Sequence, residues 1–120
     1  MIKRPLNARF NMTVSSGRKF TTIRDNPWPV WKEVMLYNWS GAAYRSKQVD
    51  VFVVLVESEN EILISNNEDQ MVFTPHEVDG IQLYVSEGFD SWEEMNDWFR
   101  KIVKPGQTVT KHLMRFKKLS

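Results

Sequence analysis

A chain of 120 residues, of which 42% are hydrophobic and 26% charged, has the composition of one globular domain, so we expect a single domain over residues 1–120. Because it contains no cysteine, the sequence excludes disulfides, thiolate zinc sites and a cysteine nucleophile, and it suits a reducing, cytoplasmic location. Residues 1–5 lack the apolar segment of a signal peptide, and no apolar run is long enough to cross a membrane, so we expect a soluble protein without a membrane partner.

The charge is divided into three blocks along the chain. Residues 1–50 contain nine basic and three acidic residues (net +6), residues 51–100 contain one basic and twelve acidic residues (net −11), and residues 101–120 contain six basic residues and no acid. The two basic ends could meet in one nucleic-acid-binding face, or the blocks could be separate solvated surfaces. The acidic block could dock a basic protein partner, and it would repel an RNA backbone, which favours a small ligand.

The first predicted element is a helix. Leu6, Phe10 and Val14 are spaced four residues apart, as on one face of a helix over residues 6–16. Gly17 then follows the last turn, where a left-handed glycine commonly ends a helix.

Extended segments follow, and they are recognised by β-branched and aromatic residues between turn signals. They are predicted at residues 20–24, 34–39, 49–56 and 62–64, with a hairpin turn at Glu59–Asn60, and one or two short ones are predicted within residues 71–85. The segment 49–56 is apolar on both faces, so we expect both faces to be covered. Residues 65–70 are a polar loop.

The clearest helix is predicted over residues 91–104, before a last strand at 108–119. Its apolar stripe consists of Trp92, Met95, Trp98, Phe99 and Ile102. Because helices and strands do not alternate, the sequence predicts an α+β protein with a mostly antiparallel sheet or barrel of about five or six strands and one or two helices.

The segment at residues 16–25, which reads SGRKFTTIRD, resembles the signature of ASCH domains. Two further segments fit the family, namely EGFDS at residues 87–91 before an aromatic-rich helix, and PGQT at residues 105–108 before a C-terminal strand. The resemblance covers roughly residues 6–119. It implies a small PUA-like β-barrel with packed helices, and a role with RNA or a modified nucleoside.

One branch of the family removes the acetyl group of N4-acetylcytidine, and it implies catalytic roles for Lys19, Thr22 and Glu87. In that scheme Thr22 attacks the acetyl carbonyl, Lys19 accepts the proton of Thr22, and Glu87 protonates the departing amine. Side chains alternate along a strand, so Lys19 points away from Thr22 unless the chain turns between Gly17 and Phe20. The chain departs from this branch at Phe20, where threonine is more common.

A second hypothesis is binding without catalysis, to RNA or to a protein partner. Basic and aromatic residues are interleaved in the first half of the chain, as expected where phosphates meet cations and bases meet aromatic rings. The candidate binding residues are Arg18, Arg24, Trp28, Tyr44, Arg45 and Lys47. Trp28 is predicted equally as a core residue or a ligand platform. His76 and His112 lack the spacing of metal ligands, so neither a metal nor a cofactor is expected.

Overall fold

Strands dominate the computed structural model, which describes residues 1–120. The strands are β1 (Ile2–Pro5), β2 (Thr21–Arg24), β3 (Glu33–Trp39), β4 (Gln48–Asn66), β5 (Met71–Thr74), β6 (Glu77–Val78), β7 (Ile81–Gln82) and β8 (Thr108–Lys118). The helices are α1 (Asn11–Ser15), which follows a 3₁₀ turn at Ala8–Phe10, α2 (Leu83–Ser86) and α3 (Trp92–Arg100). The α+β class is therefore confirmed, with eight strands and three short helices where the sequence predicted fewer of each.

Six of the strands form one mixed sheet in the order β1-β3-β4-β8-β2, with β5 paired to β4 beside this series. Only β1 and β3 run parallel, and the other pairs in the sheet are antiparallel. The edge strands β1 and β2 are not hydrogen-bonded to each other, so a closed barrel is not confirmed. Strands β6 and β7 form a separate two-stranded hairpin.

Strand β4 corrects the predicted hairpin at Glu59–Asn60, because residues 48–66 form one continuous strand. Both halves of β4 pair with β8, from Val54 opposite Lys118 to Ser65 opposite Thr108. The first half also pairs with β3 and the second half with β5. The polar residues that suggested a turn instead accompany a bulge between Val56 and Ser58, where the register shifts and the strand bends.

The core lies between the sheet and the helices. Its largest part is made of apolar side chains from β3, β4 and β8, together with the three residues of the predicted N-terminal stripe: Leu6, Phe10, Val14, Val34, Leu36, Val54, Val56, Ile62, Ile64, Met114 and Phe116. Helix α3 adds Met95 and Phe99, but Ile102 is 49% exposed. The helix ends at Arg100, four residues earlier than predicted, so Ile102 falls in the following turn and leaves the apolar stripe.

The three charge blocks are interleaved by the fold. Arg115 of the basic C-terminal end pairs with both Glu57 and Asp79 of the acidic block. The N-terminal Arg9 likewise pairs with Glu94. The acidic block is therefore distributed among basic partners and does not form an isolated acidic face. None of the three helices has the length and apolar character that crossing a membrane would require.

Candidate functional site

A cavity of about 180 Å³ lies where the start of β2 meets the loop between α2 and α3. It contains all three predicted catalytic residues and Arg24, one of the predicted binding residues. The lining consists of Leu6, Asn7, Phe10, Lys19, Thr22, Ile23, Arg24, Glu87, Phe89, Trp98 and Phe99. The geometry therefore brings together residues from two segments that are more than sixty residues apart in the sequence.

The turn that this convergence needs is present between α1 and β2. Gly17 adopts a left-handed φ of 81°, which a glycine reaches without steric cost. The Lys19 amide then donates to the carbonyl of Thr13 (2.9 Å), and the Phe20 amide donates to the carbonyl of Ser86 (2.9 Å). The regular strand begins only at Thr21, so the alternation of side chains does not apply to Lys19. Lys19 and Thr22 can therefore line the same cavity.

Lys19 is a buried amine, only 4% exposed. Its Nζ donates to the backbone carbonyls of Thr21 (2.7 Å) and Glu87 (2.8 Å), and lies 4.0 Å from the Glu87 carboxylate. Burial lowers the pKa of Lys19 to about 8, the Glu87 charge raises it, and the Arg24 charge lowers it further. An ammonium has three donors, so one remains beyond the two carbonyl contacts. The group can thus exchange a proton near neutral pH.

The Glu87 carboxylate is held by a chain of hydroxyl groups. Glu87 is buried and accepts a hydrogen bond of 2.5 Å from the Thr21 hydroxyl, which also lies 2.9 Å from the Ser86 hydroxyl. A hydroxyl carries one proton. Because the Thr21 proton goes to the carboxylate, the Ser86 proton is left for either the Thr21 hydroxyl or the Leu83 carbonyl, which lies 3.1 Å from Ser86 Oγ. The sequence hypotheses did not include Thr21 or Ser86. The only sequence signal for either residue was that it precedes a predicted catalytic residue.

The Thr22 hydroxyl is held by Arg24, whose Nε donates to Thr22 Oγ1 at 2.9 Å. This contact leaves the hydroxyl proton of Thr22 free, and it places a positive charge next to the oxygen. Burial lowers the pKa of Arg24; the Glu87 charge raises it, Arg4 lowers it and Tyr37 raises it. The guanidinium also lies 5.0 Å from the centre of the Trp28 ring.

Gly88 allows the close packing around these groups. Its φ is 89°, and a Cβ at this position would lie 2.7 Å from Thr13 Oγ1 and 3.1 Å from Lys19 Cδ. Only a glycine can fill this position without displacing its neighbours. The structure therefore explains the Glu-Gly pair as a carboxylate followed by a residue that leaves room for Lys19.

Four of the predicted binding residues lie outside the cavity, and a fifth is in the core. Arg18 contacts Asp90 at 3.4 Å and the carbonyl of Phe89, so it links the segment after α1 to the loop before α3. Tyr44, Arg45 and Lys47 are exposed in the loop between β3 and β4. Trp28 is 3% exposed and belongs to the core, which bears out the core alternative of the two predicted for it.

No protein-family model, no curated protein and no solved structure matches this chain. The resemblance to ASCH domains therefore stays a prediction that is carried by the sequence motifs.

Proposed function

We propose that the chain is an ASCH domain with a PUA-like barrel architecture, and that it hydrolyses the acetyl amide of N4-acetylcytidine-like nucleosides. The observation that carries the proposal is the shared cavity, where Lys19, Thr22 and Glu87 meet although they come from separate segments. A hydroxyl, an amine whose pKa is lowered to about 8 and a carboxylate are the groups that acyl transfer from an amide needs.

In the first step Thr22 Oγ1 attacks the acetyl carbonyl and forms the new C–O bond. The proton of the hydroxyl goes to Lys19 in its neutral form. With a pKa of about 8, Lys19 is neutral in roughly a quarter of the molecules at pH 7.5. The Arg24 guanidinium, which already contacts Thr22 Oγ1, stabilises negative charge on the attacking oxygen.

In the second step the C–N bond of the amide breaks and the nucleoside leaves with its free amine. Glu87, whose carboxylate lies 4.0 Å from Lys19 Nζ, receives the proton of Lys19 through one bridging water and transfers it to the departing nitrogen. Water then attacks the acetyl ester on Thr22 and gives a proton to the same pair of groups. The pair returns this proton to Thr22 Oγ1 as the ester C–O bond breaks, which restores the hydroxyl and releases acetate. The hydrogen bond from Thr21 keeps the carboxylate directed towards Lys19.

The remaining walls of the cavity suit a planar base. Phe10, Phe89 and Trp98 are in mutual contact, with ring centres 5.3 to 5.7 Å apart. Aromatic surfaces of this kind bind unstacked bases, because every base has a π-face. They also exclude water from the amine and the carboxylate, which strengthens the electrostatic interactions between them.

The proposal is tested by incubating the protein with N4-acetylcytidine and measuring cytidine by chromatography. We expect cytidine release by the wild type, and a loss of at least a hundredfold in Lys19→Ala and in Glu87→Gln, in line with the contribution of a general acid or base. Lys101→Ala removes an exposed lysine at the end of α3 and is the matched control, which should keep full activity. Release by the wild type that does not exceed that of Lys19→Ala would reject catalysis.

A further inference from the structure

A series of aromatic rings extends from the edge of the cavity to the tip of the β3–β4 loop, residues 40–47. The Tyr37 carbonyl accepts a hydrogen bond of 2.8 Å from the amide of Leu6, and Leu6 lines the cavity. The Tyr37 ring contacts the Trp39 ring (5.3 Å between centres), and the Trp39 ring contacts the Tyr44 ring (5.2 Å). Tyr44 is 86% exposed, so one face of this series is available to a ligand.

The β3–β4 loop holds Tyr44 in this exposed position. The backbone of Tyr44 has a φ of 63°, a left-handed conformation that is unusual for a bulky residue. Hydrogen bonds from Ser46 Oγ to the Ala42 carbonyl (2.8 Å) and from the Gly41 amide to Ser46 Oγ (2.9 Å) close the loop on itself. An ordered loop that presents an aromatic ring loses little entropy when a ligand binds.

Four cations near this series form no ion pair within 4 Å. None of Arg4, Arg24, Arg45 and Lys47 belongs to the ion pairs that neutralise other basic residues of the chain. The loop itself contains no aspartate or glutamate. Burial lowers the pKa of Arg24 and the Glu87 charge raises it, while the neighbouring charge of Arg4 lowers it again, as expected where two cations lie close together. An anion of repeating charge, such as a phosphate backbone, would satisfy these groups.

We propose that the substrate is a modified cytidine within single-stranded RNA, and that the β3–β4 loop binds the neighbouring nucleotide. The base of that nucleotide stacks on Tyr44, while its phosphates contact Arg45 and Lys47. This inference rests on the proposed function for the cavity, but the docking of RNA on the loop does not depend on catalysis. A duplex cannot bind in this way, because its bases are already stacked on one another.

The first test is fluorescence anisotropy with a labelled, unmodified single-stranded oligoribonucleotide at several salt concentrations. We expect Tyr44→Ala to weaken binding about tenfold, which is within the range for loss of one base–aromatic stack. The matched control is Trp31→Ala, an exposed aromatic residue with the same φ of 63° that precedes the opposite end of β3. It should change the affinity less than twofold. Equal effects of the two substitutions, or no binding by the wild type, would overturn the docking proposal.

The same titration tests the phosphate contacts. The double variant Arg45→Gln with Lys47→Gln should lower the slope of log K against log salt by about 1.4, since each phosphate contact on a single strand contributes about 0.7. An unchanged slope would overturn the assignment of phosphates to these two side chains.

The second test compares hydrolysis of the free nucleoside with hydrolysis of an oligonucleotide that contains one internal N4-acetylcytidine. We expect kcat/KM to be at least tenfold higher for the oligonucleotide, and Tyr44→Ala to reduce this ratio about tenfold through KM. Equal kcat/KM for both substrates would overturn the inference while leaving the proposed hydrolysis intact. If neither substrate is hydrolysed, the proposed function fails, and the binding measurements alone decide whether RNA docks on the loop.

Discussion

Replacing Thr21 by valine tests the hydroxyl chain that holds Glu87. Valine keeps the size and the β-branched shape that suit strand β2, so the change removes one hydroxyl and adds no strain. The structure gives Thr21 a 2.5 Å hydrogen bond to a buried carboxylate and a 2.9 Å contact with Ser86. A hydrogen bond to a charged group contributes about 1.5–3 kcal/mol, so we expect the free energy of unfolding to fall by about 2–3 kcal/mol.

The assay for Thr21→Val is urea denaturation followed by tryptophan fluorescence. The slope of the unfolding free energy against urea concentration should stay unchanged. The matched control is Thr108→Val, which removes an exposed strand hydroxyl that contacts Ser65 at 2.8 Å. It should cost less than about 0.5 kcal/mol. In a Glu87→Gln background, the cost of Thr21→Val should fall to about 1 kcal/mol, the value for a neutral pair. A Thr21→Val cost no larger than that of Thr108→Val would refute the reasoning.

The remaining predictions concern Lys19, Gly88 and Trp28. Because the pKa of Lys19 is about 8 in the folded protein and 10.5 in a free side chain, the unfolded state binds more protons between these pH values, and stability should rise with pH across that window. Urea titrations at several pH values should show this rise in the free energy of unfolding for the wild type and not for Lys19→Met. If the free energy of unfolding depends on pH in the same way in both proteins, Lys19 is not a buried titrating amine. Gly88→Ala should cost about 2–4 kcal/mol from left-handed strain and overpacking, whereas Gly106→Ala, with a φ of 78° and open space around it, should cost about 1–2 kcal/mol from strain alone. Trp28→Ala should cost about 3–5 kcal/mol and Trp31→Ala less than about 0.5 kcal/mol; similar melting temperatures for the two would show that Trp28 is not a core residue.

The local signals in the sequence predicted much of the fold. The spacing of Leu6, Phe10 and Val14 identified three core residues, and Gly17 identified the end of the helical segment, but this segment begins only at Ala8, so Leu6 precedes it. The β4 strand was predicted as two strands because Glu59 and Asn60 are common in turns. Both residues instead lie within the part of β4 that pairs with β8, from Val54 to Ser65, and Glu59 lies 2.5 Å from His112 of that strand. Such a long-range partner cannot be inferred from a local pattern.

The candidate site was predicted in part. The motif at residues 16–25 and the Glu-Gly pair that begins at residue 87 pointed to the three groups that share the cavity. The sequence could not show that Arg18 turns towards Asp90, because both residues are charged and exposed in either arrangement. Trp28 was ambiguous for a similar reason, since a tryptophan between two prolines can pack inward or outward. Only the burial of the side chain in the fold, where it is 3% exposed, distinguishes the two.

The most direct measurement of the central claim is cytidine release from N4-acetylcytidine by the wild type and by Thr22→Val, assayed side by side at equal concentration. Valine preserves the shape of the side chain and removes only the oxygen that Arg24 holds at 2.9 Å. The proposed mechanism predicts release by the wild type and none by Thr22→Val. Equal release by both proteins, or none by the wild type, would contradict it.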